Sequence, residues 1–204
     1  MKSTIRKNIE RGVFLGLACA IMLSFAKFDN RCEELRNGVL RLHILANSDT
    51  YEDQQIKLKV RDKILETTAD TFDRASDIDG AIAIANMNIY DITCVANSVL
   101  AENGFDYGAE VSVEKNYFEN REYDDFVLPA GVYNSLTVRL GNAEGHNWWC
   151  VVFPCVCLPA AEGKLEKAVS KQSAKTAKNG KKYKIKFKTA EIYEDLKRKI
   201  NDIK

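Results

Sequence analysis

The first residues constrain this chain most. Lys2, Arg6, Lys7 and Arg11 form a basic flank with Glu10 as its only acid, and an uncharged apolar run follows from Val13 to Phe25. That run suits the hydrophobic part of an export signal. It is short of the ~20 apolar residues that cross ~30 Å of hydrocarbon. Ser24 and Ala26 supply the small residues that a signal cleavage site after Ala26 requires. The basic flank and the abrupt polar continuation favour targeting over a buried cytoplasmic helix. Residues 1–26 are therefore expected as a signal peptide or an N-terminal membrane anchor, with the basic end on the cytoplasmic side. The apolar run continues past Cys19 and Gly16 fits a lipobox poorly, which argues against lipid attachment there.

The exported remainder has the size of one domain and can bury a core without a metal or many disulfides. The formal net charge of +1 hides a split. Residues 28–162 are acidic, whereas residues 164–204 are basic. The basic tail suits an anionic membrane surface or the acidic body of the same chain. Nucleic acid is not expected, because export argues against it and no aromatic side chains interleave with the lysines as a stacking platform.

Periodicity gives a coarse architecture. Leu40, Leu42 and Ile44 alternate with Arg41, His43 and Leu45, which predicts a strand over 39–46. Asp49, with Glu52 three residues on, can cap a helix from Thr50 to about Thr68. Apolar spacing predicts a second helix from Asp77 or Asp79 to Glu102, stopped by Asn103 and Gly104. Alternation resumes over 107–114 and 132–140, and residues 116–125 read as a loop or irregular strand. Residues 163–180 read as a basic linker or a poorly packed helix. Lys181 to Lys188, KKYKIKFK, alternates most sharply and predicts a lysine-faced edge strand with Tyr183, Ile185 and Phe187 inward. A short helix over 190–200 follows. The expected fold is α+β: one small domain with helices packed on a mixed or antiparallel sheet of about four strands. Residues 27–163 form its body, 164–180 a basic linker, and 181–204 an edge strand and helix that complete it.

Two segments stand apart: LRLHILANSDTYEDQQIKLKVRD from Leu40 and LPAGVYNSLTVRLGNAEGHNWWCVVFPCVCLP from Leu128. They resemble the stage II sporulation protein R family of endospore-forming bacteria. Leu45, Ala46, Asn47, Ser48 and Asp49 carry the family motif, with Pro129, Gly131 and Tyr133 and the stretch from Gly141 to Cys157. The resemblance implies a protein exported from the forespore into the space between forespore and mother-cell membranes. It also implies a partner, a membrane-embedded aspartic protease that processes the pro-form of the mother cell's early sigma factor. An activator of that kind needs no catalytic residues, cofactor or small-molecule substrate of its own. The residues agree: no nucleophile elbow, phosphate loop or dinucleotide fingerprint is present. His43 and His146 are the only histidines.

Trp148 and Trp149 lie beside a glycine-rich turn. Strand neighbours face opposite ways, so one is expected in the core and the other at least half exposed. With His146 and Asn147 they are the candidate partner-binding residues. The competing reading is an exported zinc-binding or thiol-redox protein using His146, Cys150, Cys155 and Cys157. Cys150 and Cys157 match the family pattern, and export permits oxidation, so a Cys150–Cys157 disulfide is expected. Pairing of Cys150 with Cys155 and free thiols are the alternatives.

Overall fold

The computed structural model describes residues 2–123, 126–155 and 165–202. It opens with one long helix, α1 (Lys2–Gly38). Its stretch from Asn8 to Gly38 is long and apolar enough to cross a membrane, and Val13, Phe14, Leu17 and Leu23 are exposed. The helix does not end at Ala26. Phe28, Cys32 and Leu35, at helical spacing, are buried against the domain. Burial pushes the Cys32 thiol up to about 12, partly opposed by the Arg36 cation, so it is an unreactive packing residue.

The remaining described elements are β1 (Leu40–Leu45), α2 (Tyr51–Asp73), α3 (Ile78–Met87), α4 (Ile89–Glu102), β2 (Ala109–Phe118), β3 (Arg121–Glu122), β4 (Val127–Leu128), β5 (Gly131–Leu140), β6 (Asn147–Phe153), α5 (Leu165–Ala168), α6 (Lys171–Lys178) and α7 (Lys184–Asp202). Four strands form one sheet in the order β2-β5-β1-β6. β1 runs parallel to β5 and antiparallel to β6, and β2 runs antiparallel to β5. The protein is thus a small α+β domain with helices on a mixed sheet.

Alternation along the strands sorts the two faces. Leu42, Ile44, Leu136, Val138 and Cys150 join Ile56, Val60 and Ile64 of α2 and Ile92, Ala96 and Leu100 of α4 in the main core. On the other face, Leu35, Val39, Phe118, Tyr133 and Val151 pack with Ala174 and Ala177 of α6. Arg41 is fully buried there. Its guanidinium lies 4.0 Å from the centre of the Phe118 ring and 4.9 Å from that of Tyr133, and it donates to the Tyr123 hydroxyl at 3.0 Å. Among the described residues, aromatic faces and a phenol hydroxyl are the partners of this cation.

Four expectations from the sequence need correction. The lysine-rich stretch 181–188 is no edge strand: Gly180–Tyr183 is a 3-10 turn and α7 begins at Lys184. Phe187, Ala190 and Glu194 are buried at helical spacing, whereas Ile185 is 84% exposed. The fourth strand of the sheet is β6 instead. The long helix over 77–102 is two helices, because Asn88 closes α3 and donates its side-chain amide to Ile84 O at 2.7 Å. The cap of α2 is Thr50 rather than Asp49, its hydroxyl accepting from Asp53 N at 3.3 Å. Residues 165–178, read from sequence as a linker or a poorly packed helix, hold α5 and α6, and α6 is well packed, with Ser173, Ala174, Thr176 and Ala177 buried.

α7 is tied to α1. Phe28 meets Phe187 edge-on at 5.0 Å, and Arg36 lies 3.5 Å from both Asp29 and Glu194. Phe187→Ala should cost about 3–5 kcal/mol in chemical denaturation. A double-mutant cycle with Phe28→Ala should return a coupling of about 0.5–1.5 kcal/mol. Strict additivity would contradict this packing.

Candidate functional site

The segment Leu45 to Asp49 joins β1 to α2, and its side chains are spent on structure. The Asp53 carboxylate gathers them: it accepts from Asn47 Nδ2 at 2.8 Å, Ser48 Oγ at 2.5 Å and the Tyr107 hydroxyl at 2.5 Å. Asp53 is itself buried. Desolvation raises its pKa, but the hydrogen bonds from Ser48, Tyr107, Asn47 and Thr50 outweigh that and hold it below the usual aspartate value. Burial raises the Tyr107 phenol above its usual value, and its bond to Asp53 adds to the effect.

The connection between β5 and β6 docks on this loop. Glu144 N donates to Asn47 O at 3.2 Å, Gly145 N to Ala46 O at 2.9 Å, and Asn142 N to Asn47 Oδ1 at 2.9 Å. His146 N donates to Asp49 Oδ1 at 2.6 Å, and the His146 ring nitrogen Nδ1 meets the same oxygen. Both bonds from His146 lower the Asp49 pKa. Lys57 Nζ reaches across from α2 to His146 O at 2.8 Å. Gly141 has φ +55, and a side chain at Gly145 would run into the Ser48 carbonyl. The result is a clamped turn that holds His146 and Asn147 outward, both exposed.

Trp148 and Trp149 then enter β6 on opposite faces, each half-buried. Trp148 packs against the main core, with Arg61 of α2 over its ring at 4.3 Å. Trp149 lies among His43 and Phe118, with Arg121 5.2 Å from its ring. Neither is a bare anchor. The two indoles form the shoulders of the turn, and His146 and Asn147 form its tip. Pro129, Gly131 and Tyr133 serve packing: the Tyr133 hydroxyl donates to Pro129 O at 2.5 Å, and a side chain on Gly131 (φ +144) would collide with Arg36.

No disulfide joins two described cysteines; Cys150 is disulfide-bonded, and Cys19, Cys32, Cys94 and Cys155 are not. The alternative pairing of Cys150 with Cys155 is not formed, because Cys155 is buried with its thiol directed at Val152 O, 3.0 Å away. Cys157 lies outside the described residues. The zinc set is not assembled either: His146 is engaged with Asp49, and among the described residues no three His, Cys, Asp or Glu are grouped to hold a metal ion.

Sequence reasoning missed the two groups that organise this region, Asp53 and His43. Asp53 lies in the first turn of α2, where an acid is common, and its partner Tyr107 is remote in sequence. Burial pulls the His43 imidazole down to about 4; the side chain of Asn147 and the charge of Glu114 oppose this, and Arg139 and Arg41 act with burial. The Asn147 contact falls short of good hydrogen-bond geometry.

Asp53→Ala should destabilise the domain by about 1–3 kcal/mol for each buried donor left unsatisfied, with Asp53→Asn losing less. Equal stability of Asp53→Ala and the parent in urea would contradict the hub. The His43 pKa is lower folded than unfolded, so the folded state binds fewer protons between pH 6.5 and about 4. Its contribution is intact above pH 6.5 and is lost as pH falls toward 4. His43→Phe should therefore flatten the dependence of Tm on pH across that window.

The family model of stage II sporulation protein R matches residues 36–163, from the last turn of α1 past the end of β6. Stage II sporulation protein R of Bacillus subtilis (strain 168) is 31% identical over 179 residues, which cover 87% of this chain and 75% of that protein. No solved structure gives a significant match. The match takes in the whole four-stranded sheet, the Asp53 hub and the clamped turn, and the chain belongs to the stage II sporulation protein R family.

Proposed function

We propose that this chain is an exported activator in sporulation and has no catalytic chemistry of its own. α1 delivers the domain from the forespore into the space between the forespore and mother-cell membranes. There the domain binds a membrane-embedded aspartic protease of the mother cell, which then processes the pro-form of the mother cell's early sigma factor. The observation that carries this reading is the family match across the folded domain directly behind an apolar helix. The site adds support. Its best-placed acid, Asp53, has its oxygens filled by Asn47, Ser48 and Tyr107, which suits a scaffold better than an acid or base. The parts left exposed are His146 and Asn147 at the tip of a rigid turn, an arrangement that presents contacts at little entropic cost.

The test is complementation. The resident gene of an endospore former is deleted, and this chain is restored intact or with Leu17→Arg in the apolar run. Processing of the pro-sigma factor is followed by immunoblot. The intact chain should restore processing and Leu17→Arg should not, since a charge in the apolar run disfavours membrane insertion. Failure of the intact chain would remove the assignment. His146→Ala with Asn147→Ala should lower Tm only slightly, since the His146 backbone bond to Asp49 remains, and lower processing by about tenfold, the effect of losing a binding hot spot. Full processing by that variant would move the contact surface elsewhere on the domain.

A further inference from the structure

The sequence made α7 look like a sheet edge, and its true conformation leaves a second apolar face unaccounted for. At about 100° per residue, Ile185, Ile192, Leu196 and Ile200 fall within about 80° of one another around the helix. They lie roughly opposite Phe187, Ala190 and Glu194, which face the domain. All four are more than half exposed: 84%, 53%, 55% and 58%. Lysines border the stripe on both sides, Lys186 and Lys197 along one edge and Lys188 and Lys199 along the other. A water-facing helix has no reason to align branched aliphatic side chains in this way, and an apolar face between rows of lysine is the pattern of a helix lying in a bilayer interface.

The position of α7 says which apolar phase covers the stripe. Lys186 donates to Ser24 Oγ at 2.9 Å, and Tyr193 meets the Phe25 ring edge-on at 6.5 Å. Ser24 and Phe25 are the last residues of the exposed apolar run of α1. Tyr193 and Lys186 occupy the side of α7 between its core face and its aliphatic stripe. The stripe is therefore turned away from the domain, beyond the contact with α1. We propose that α7 lies in the outer headgroup region of the membrane from which α1 emerges, with Ile185, Ile192, Leu196 and Ile200 in the acyl boundary and Lys197 and Lys199 on anionic headgroups, while Lys186 and Lys188 are held by Ser24 and Glu191. The inference rests on α1 as the export segment and not on protease activation.

The test uses the full chain reconstituted in vesicles through α1, so that attachment itself does not depend on α7. Ile192→Trp and Leu196→Trp each add an indole on the stripe. Tyr90→Trp adds one at an exposed position on α4 as a control. Vesicles contain ~30% phosphatidylglycerol, or phosphatidylcholine alone, and carry acyl chains brominated near the headgroup. After subtraction of the signal of Trp148 and Trp149, the stripe indoles should be quenched roughly twofold or more beyond the control. Quenching should fall in phosphatidylcholine alone, in high salt, and on adding Lys197→Gln with Lys199→Gln. Quenching no greater than that of Tyr90→Trp at both stripe positions would overturn the proposal. So would stripe indoles shielded from aqueous iodide only at high protein concentration, which would mark a second copy of the chain as the occupant. Processing in cells is measured separately, so failure here leaves the signalling assignment standing, and the converse holds.

Discussion

The carboxylate of Asp53 determines where four parts of this protein meet. A buried anion is tolerated only when hydrogen bonds replace its water, and here the donors come from the β1–α2 loop and from Tyr107 ahead of β2. Satisfying Asp53 therefore fixes the loop from Ala46 to Ser48. A loop so fixed offers two carbonyls, those of Ala46 and Asn47, to the amides of Gly145 and Glu144. These bonds set the turn between β5 and β6, and the turn sets the entry of β6 beside β1. The clamp thus passes from one side chain to a whole strand through backbone groups, and Gly145 is required because the Ser48 carbonyl leaves no room for a Cβ.

The same sheet carries unlike faces. One is aliphatic and sits on α2, α3 and α4. The other mixes aromatic rings with polar groups, and its organising charge is Arg41. A buried cation is costly unless it is matched, and among the described residues the rings of Phe118 and Tyr133 and the Tyr123 hydroxyl do that. Beside it, Arg139 donates to Glu114 and Ser112, and Asn116 donates to Ser135 and Thr137. This face is specific in geometry without resembling a reaction centre. It also explains the depressed His43, which lies in the row between Thr137 and Trp149.

Much of this was legible in the sequence wherever burial follows a simple period. β1, β5 and the first part of β2 show strict alternation, and α2 shows apolar residues every four positions. KKYKIKFK was misleading for a definite reason. Tyr183 and Phe187 are compatible with both a period of two and a helical spacing, so the decision falls on Ile185. A strand buries Ile185; the helix exposes it, and only contact with α1, distant in sequence, selects the helix. Asn88 was hidden because the apolar pattern runs through it unbroken while its side chain competes for the Ile84 carbonyl. In the site, the motif residues were visible as a cluster, but their purpose was not. Asp53 finds Tyr107 across a separation of 54 residues, a pairing that no local pattern encodes.

α1 passes from its exposed apolar run into the domain without a loop, a glycine hinge or a proline. From Phe25 to Gly38 it is about 20 Å of continuous helix, and its last turns are held by Phe28, Cys32, Leu35 and Arg36. An uncut α1 is accordingly a rod and not a tether. The domain it carries keeps one height and one tilt above the bilayer and gains little by waiting for a favourable orientation. For such an anchored rod, encounters with a partner are governed by lateral diffusion and by the partner's distance from the bilayer. A flexible leader of the same length would trade that fixed aim for reach.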